Sequence, residues 1–113
     1  LSLHAQISFK TKVSQQPIVV GESFQVQYTI SNAEKISGFD VSSSFKSFRF
    51  VSGPDIYNGK ETGMNGMKQI KNYFFTLEAI RPGHFTIHGT WATIDGKTTR
   101  SGQQLYTKEA ASK

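Results

Sequence analysis

Ten residues, ESFQVQYTIS at 22–31, constrain this chain more than any others. Phe24, Val26, Tyr28 and Ile30 fall on one side, and Ser23, Gln25, Gln27 and Thr29 on the other. A period of two is the signature of a β-strand with one buried face and one wet face. The stretch before it repeats the pattern, with Ala5, Ile7, Phe9, Thr11 and Val13 set against Gln6, Ser8, Lys10 and Lys12. Between the two lie Pro17, a short Ile18-Val19-Val20 run and Gly21, where the chain turns into the next strand.

Further strands follow. Phe39, Phe45, Phe48 and Phe50 stand among serines, and the spacing predicts a strand near 47–52 that stops at Gly53-Pro54. Residues 55–67, DIYNGKETGMNGM, carry two Asn-Gly pairs and little apolar content. They read as a long loop or a loosely held hairpin, and as the most mobile part of the chain. Alternation resumes through Tyr73, Phe75, Leu77 and Ala79. Arg81-Pro82-Gly83-His84 fits a type II turn, with proline second and glycine third. Phe85 and Ile87 point inward, Asp95-Gly96 makes a hairpin, and Leu105 belongs to a last strand. No stretch of ten residues has a helical period with caps. About seven to eight short strands at intervals of 8–12 residues predict an all-β, immunoglobulin-like antiparallel β-sandwich. Its expected limits are 1–107, with 108–113 as a C-terminal tail or linker.

Composition narrows the chemistry. The chain has 113 residues, the size of one domain, and 36% of them are apolar, enough for a two-layer core. It has no cysteine, so thiolate zinc sites, iron–sulfur clusters, disulfides and cysteine nucleophiles are excluded. Thirteen basic and eight acidic residues give a net charge of +5, but no three basic residues are consecutive. That pattern is a solvated surface and predicts no nucleic-acid partner. No apolar run approaches the roughly 20 residues of a membrane span. The start, Leu1-Ser2-Leu3-His4-Ala5, lacks the regions of a signal peptide and reads as a mature or excised N-terminus. The whole is expected to be one soluble domain cut from a longer protein.

Few residues are candidates for chemistry. His84 and His88 are four apart on one strand, so their α-carbons lie about 13 Å apart. A single metal bound at ~2 Å by each imidazole does not easily bridge that span, and solvent-facing histidines are the reading here. Trp91, the only tryptophan, could stack on a sugar, but packing at a sheet edge or partly in the core is the commoner role. Neither Tyr57 nor Tyr106 is placed beside it by sequence. Met64 and Met67 read as a flexible, glycine-rich surface segment rather than soft-metal ligands. The eight carboxylates are scattered singly, Asp95 serves its turn, and no hydrolase, nucleotide or metalloprotease motif occurs. The expectation is no enzyme, no catalytic residue, no metal site and no cofactor.

The order of features resembles one family. VVGESFQVQYTI (19–30), FRFVSGP (48–54) and MNGMKQIKNYFFTLEAIRPGHFTIHGTWATIDGKTTRSGQQL (64–105) are similar to an ectodomain repeat of the BatD, or oxygen-tolerance (aerotolerance), family. The carrying motifs are Val20-Gly21-Glu22, Gly53-Pro54, Asn65-Gly66-Met67, Phe75-Thr76-Leu77, Gly83-His84-Phe85-Thr86-Ile87 and Asp95-Gly96. The resemblance implies an envelope protein with several immunoglobulin-like domains and a membrane anchor. It implies protein partners, von Willebrand A-type proteins and a MoxR-type ATPase being usual genetic neighbours, and a link to aerotolerance or stress. It carries no catalytic residues. A weaker similarity joins PGHFTIHGTWATIDGK (82–97) to periplasmic copper-binding sandwiches of the CopC type. Those place a ligand histidine after Asp-Gly, where this chain has Lys97. The expected function is therefore a non-catalytic protein-interaction domain in the periplasm or cell envelope. The alternatives are a carbohydrate-binding module using Trp91 and, third, a copper-binding protein using His84 or His4.

Overall fold

The structure, a computed structural model, describes residues 7–14, 17–41, 45–63, 66–101 and 106–112, with only the backbone of 63 and 106–109. Ten strand segments run in order among the described residues: β1 (Ser8–Val13), β2 (Ile18–Val19), β3 (Ser23–Ser31), β4 (Ile36–Asp40), β5 (Phe48–Gly63), β6 (Gly66–Ala79), β7 (Gly83–Ile87), β8 (Trp91–Ile94), β9 (Lys97–Arg100) and β10 (Tyr106–Ala111). None of the described residues is helical.

One sheet has the order β1-β3-β6-β5, all antiparallel. The second layer is built from β2-β10-β7 and β4-β8-β9. Ten segments trace seven strands. β1 pairs with β3, but β2 crosses to the other layer and runs parallel to β10, the one departure from antiparallel pairing among the described strands. β7 and β8 form one broken strand, β9 and β10 another, folded back on each other at Asp95-Gly96. The turn has φ of 49° and 82° at its two residues, the doubly positive geometry of a tight hairpin turn. Four positions separate Ile87 from Trp91, whereas six separate Arg100 from Tyr106, so the β7–β10 and β8–β9 ladders do not continue in one register. This is the immunoglobulin-like sandwich that the alternating segments predict.

The core holds the residues that alternation selects. Phe24, Val26, Tyr28 and Ile30 of β3 and Tyr73, Phe75, Leu77 and Ala79 of β6 are buried, as are Phe85 and Ile87 of β7. Aromatic rings bridge the layers: Phe39 stacks on Tyr73 at 4.5 Å and Phe48 meets Phe85 edge-on at 5.6 Å. Each such pair adds about 0.5–1.5 kcal/mol beyond its burial. The opposite face of β3 and β6 is a polar ladder in which Gln27 Nε2 and Thr29 Oγ1 both donate to Asn72 Oδ1, at 3.0 and 2.7 Å. In β1, Phe9 and Val13 are buried; Ile7, just before the strand and beyond the last pair with β3, is exposed.

Four expectations are corrected. The strand expected to stop at Gly53-Pro54 continues through it to Gly63, with register shifts at residues 50–52 and 52–55. β5 is an edge strand, where proline costs no ladder bond, and Gly53 at φ 128° lets the backbone pass close beside Phe74 and Phe75. Of the two readings of this segment the hairpin holds and the loop does not: residues 55–63 pair with 66–74 of β6 without a shift. Arg81-Pro82-Gly83-His84 is not a type II turn: Gly83 has φ 141° instead of about +80°, since the chain passes from one layer to the other rather than reversing. Residues 108–111, expected in a tail, lie in β10 between β2 and β7, and Ala110 is buried. Leu105 lies outside the described residues.

Candidate interaction surfaces

Two places on the sandwich present more than solvated polar groups. The first is the open flank along β5. Phe50 and Ile56 lie opposite Leu77 and Tyr73, so both face the core side, yet they are 49% and 47% exposed. The cause is architectural: β5 runs sixteen residues, while the layer beneath ends on that side with the five-residue β4. Where cover runs out, a hollow of about 490 Å³ remains, with Ala33 and Ile36 on one wall and Asn58, Lys60 and Lys71 on the other. Lys71 Nζ lies 5.7 Å from the ring centre of Tyr73, and burial raises the Tyr73 phenol above its ordinary value of 10.0.

The second is the outer face of β4-β8-β9. Asp40, Trp91 and Arg100 form one row across the three strands. Trp91 is 45% exposed, with the Arg100 guanidinium 5.8 Å from its ring. The indole therefore sits on a solvent-facing sheet surface, not in the core, because its neighbours Ala92 and Ile94 take the inward positions. Beside it is a shallow hollow of about 420 Å³ lined by Lys46, Thr86, His88, Trp91 and Arg100. A buried polar knot fixes this row. Thr90 N–H donates to Ser101 Oγ at 2.9 Å, Ser101 N–H returns to the Thr90 carbonyl at 2.8 Å, and Thr90 Oγ1 donates to the Asp40 carbonyl. Gly89 lies flush against it; a methyl group there would come within 3.1 Å of Arg100 Nε and the Ser101 carbonyl. Sequence reasoning passed over Thr90 and Ser101, whose only signal is the break in alternation after Ile87.

The remaining candidates do not converge. His84 and His88 are exposed, as expected for residues facing out from β7 and its end. Among the described residues no three of His, Asp and Glu gather as a metal site would need, and His4 and Met64 fall outside them. Met67 is held in a strand at the ribbon tip, accepting a hydrogen bond from Thr62 Oγ1 at 3.2 Å. Tyr57 stands on β5 with its ring edge-on to Phe74, on a different sheet from Trp91. Asp95 does more than shape its turn: Oδ1 accepts the Glu34 and Lys35 N–H groups at 3.0 and 2.7 Å, tying the β8–β9 hairpin to the β3–β4 connection. Among the described residues no helix is long and apolar enough to cross a membrane.

A sandwich of seven traced strands, with an open flank and an aromatic row on rigid sheets, defines an immunoglobulin-like domain. The family model described as the BatD DUF11-like domain matches residues 11–104, most of the chain. The chain belongs to the BatD family of envelope proteins. No curated protein and no solved structure matches it.

Proposed function

We propose that this domain is a non-catalytic protein-interaction module of a membrane-anchored envelope protein that serves aerotolerance or stress tolerance, with its ectodomain in the periplasm. The observation that carries the reading is the flank of β5. Apolar side chains facing inward and left half-exposed, beside an edge that no described strand pairs, are what a partner strand covers. Family kinship adds the class of partner: von Willebrand A-type proteins. Crosslinking in native membranes, followed by identification of the captured chains, tests this. Recovery of von Willebrand A-type proteins is the expected result, and recovery of none would count heavily against it.

The row Asp40-Trp91-Arg100 supports a second reading, a carbohydrate-binding face. An exposed indole flanked by a carboxylate and a guanidinium offers stacking and hydrogen bonds to one sugar ring. Glycan-array binding that disappears in Trp91→Ala would promote it. The copper reading gains no comparable support, since Lys97 opens β9 where that family has a ligand.

A further inference from the structure

The β5 edge is irregular along one half of its length and regular along the other. Pro54 and the two register shifts break the regular edge before residue 55, a common guard against stray pairing. From 55 to 63 the strand is regular and has no neighbour on its outer side among the described residues. Nine residues at about 3.3 Å each give about 30 Å of edge.

The direction of its backbone groups follows from one bond. Asn32 N–H donates to the Gln69 carbonyl at 2.9 Å, so residues 69, 71 and 73 of β6 turn their backbone to β3. Residues 70, 72 and 74 turn theirs to Gly59, Tyr57 and Asp55 of β5. By alternation, the N–H and C=O groups of Ile56, Asn58 and Lys60 point away from β6, toward the free side. The side chains of the same three residues lie on the core side, and Asn58 and Lys60 line the hollow beneath the β5–β6 hairpin.

The chemistry along this edge is graded. Ile56 offers apolar surface at one end. Four residues on, Lys60 and Lys71 place two cations beside the hollow, against one carboxylate, Glu34. We propose that residues 55–63 accept an extended segment of a protein partner as a fifth strand of the β1-β3-β6-β5 sheet. The segment carries an apolar side chain opposite Ile56 and, four positions away, a carboxylate opposite Lys60. This deepens the interaction reading and rests on it. A second copy of this chain is a poorer occupant, because it brings a net charge of +5 against +5.

The test is selection from a phage-displayed library of random nine-residue peptides on the 113-residue chain, with binding of selected peptides mapped by amide hydrogen exchange. The expected peptides carry Asp or Glu four positions from an apolar residue and protect the amides of Ile56, Asn58 and Lys60. Methylating the peptide's alternate backbone nitrogens abolishes binding. Lysine in place of its carboxylate weakens binding by roughly fivefold, and Lys60→Glu restores that lysine peptide. Peptides without the spacing, protection confined to another surface, no enrichment at all, or a dimer of the chain formed across β5 would each overturn the proposal. Partner capture in membranes through some other face would overturn it while leaving the interaction reading standing.

Discussion

At the scale of single residues, backbone room and charge placement matter most. A methyl group on Gly53 would sit 2.8 Å from the Phe74 carbonyl oxygen, at a φ of 128° that side chains rarely adopt. Gly53→Ala is expected to cost about 1–3 kcal/mol in urea unfolding. Asp95→Ala removes the acceptor for two N–H groups and should cost about 1–2 kcal/mol, with Asp95→Asn milder because it keeps one oxygen and tolerates positive φ. Tyr73 makes stability depend on pH on the alkaline side. Its phenol is raised by burial, so above pH 10 the unfolded chain gives up its proton first and stability falls as pH rises. Tyr73→Phe should show a shallower loss of melting temperature on the alkaline side.

At the scale of elements, the long ribbon is unequal along its length. β6 has neighbours on both sides from residue 70 to 78, and Gln69 still accepts the Asn32 N–H, but among the described residues, 66–68 pair only with β5. Amide exchange should therefore be slow in the middle of β6 and fast toward the tip, because local opening there exposes few buried contacts. A tip that exchanges as slowly as Tyr73 and Phe75 would show a contact that the pairing does not contain. The ribbon also marks a limit of sequence reading. Its Asn-Gly pairs look like turns, yet Asn58-Gly59 lies mid-strand, opposite Lys71 and Ile70. Local preference for a turn was overridden by the ladder on β6, which no local pattern within 55–63 announces.

At the scale of the molecule, one strand sets the shape. The principal extents are 55 × 25 × 22 Å, and sixteen residues of β5 at about 3.3 Å each account for about 53 Å of the longest. Replacing residues 60–69 with a two-residue turn between Gly59 and Ile70 should shorten the greatest dimension seen by small-angle scattering by about 13 Å. The melting temperature should change little, since Val26, Tyr28, Phe75 and Leu77, at the centre of the core, all lie outside the deletion.

Alternation along the chain specifies which side of β3, β6 and β7 is buried, and hence an all-β sandwich, because a period of two leaves one choice of face per strand. The Asp95-Gly96 reversal is equally local, since both residues accept positive φ. Packing between distant segments sets the rest: β2 crosses to run beside β10, Trp91 looks outward, and the layer beneath β5 ends early. Those outcomes depend on where strands of different length end against one another, a relation between distant residues that no local period encodes.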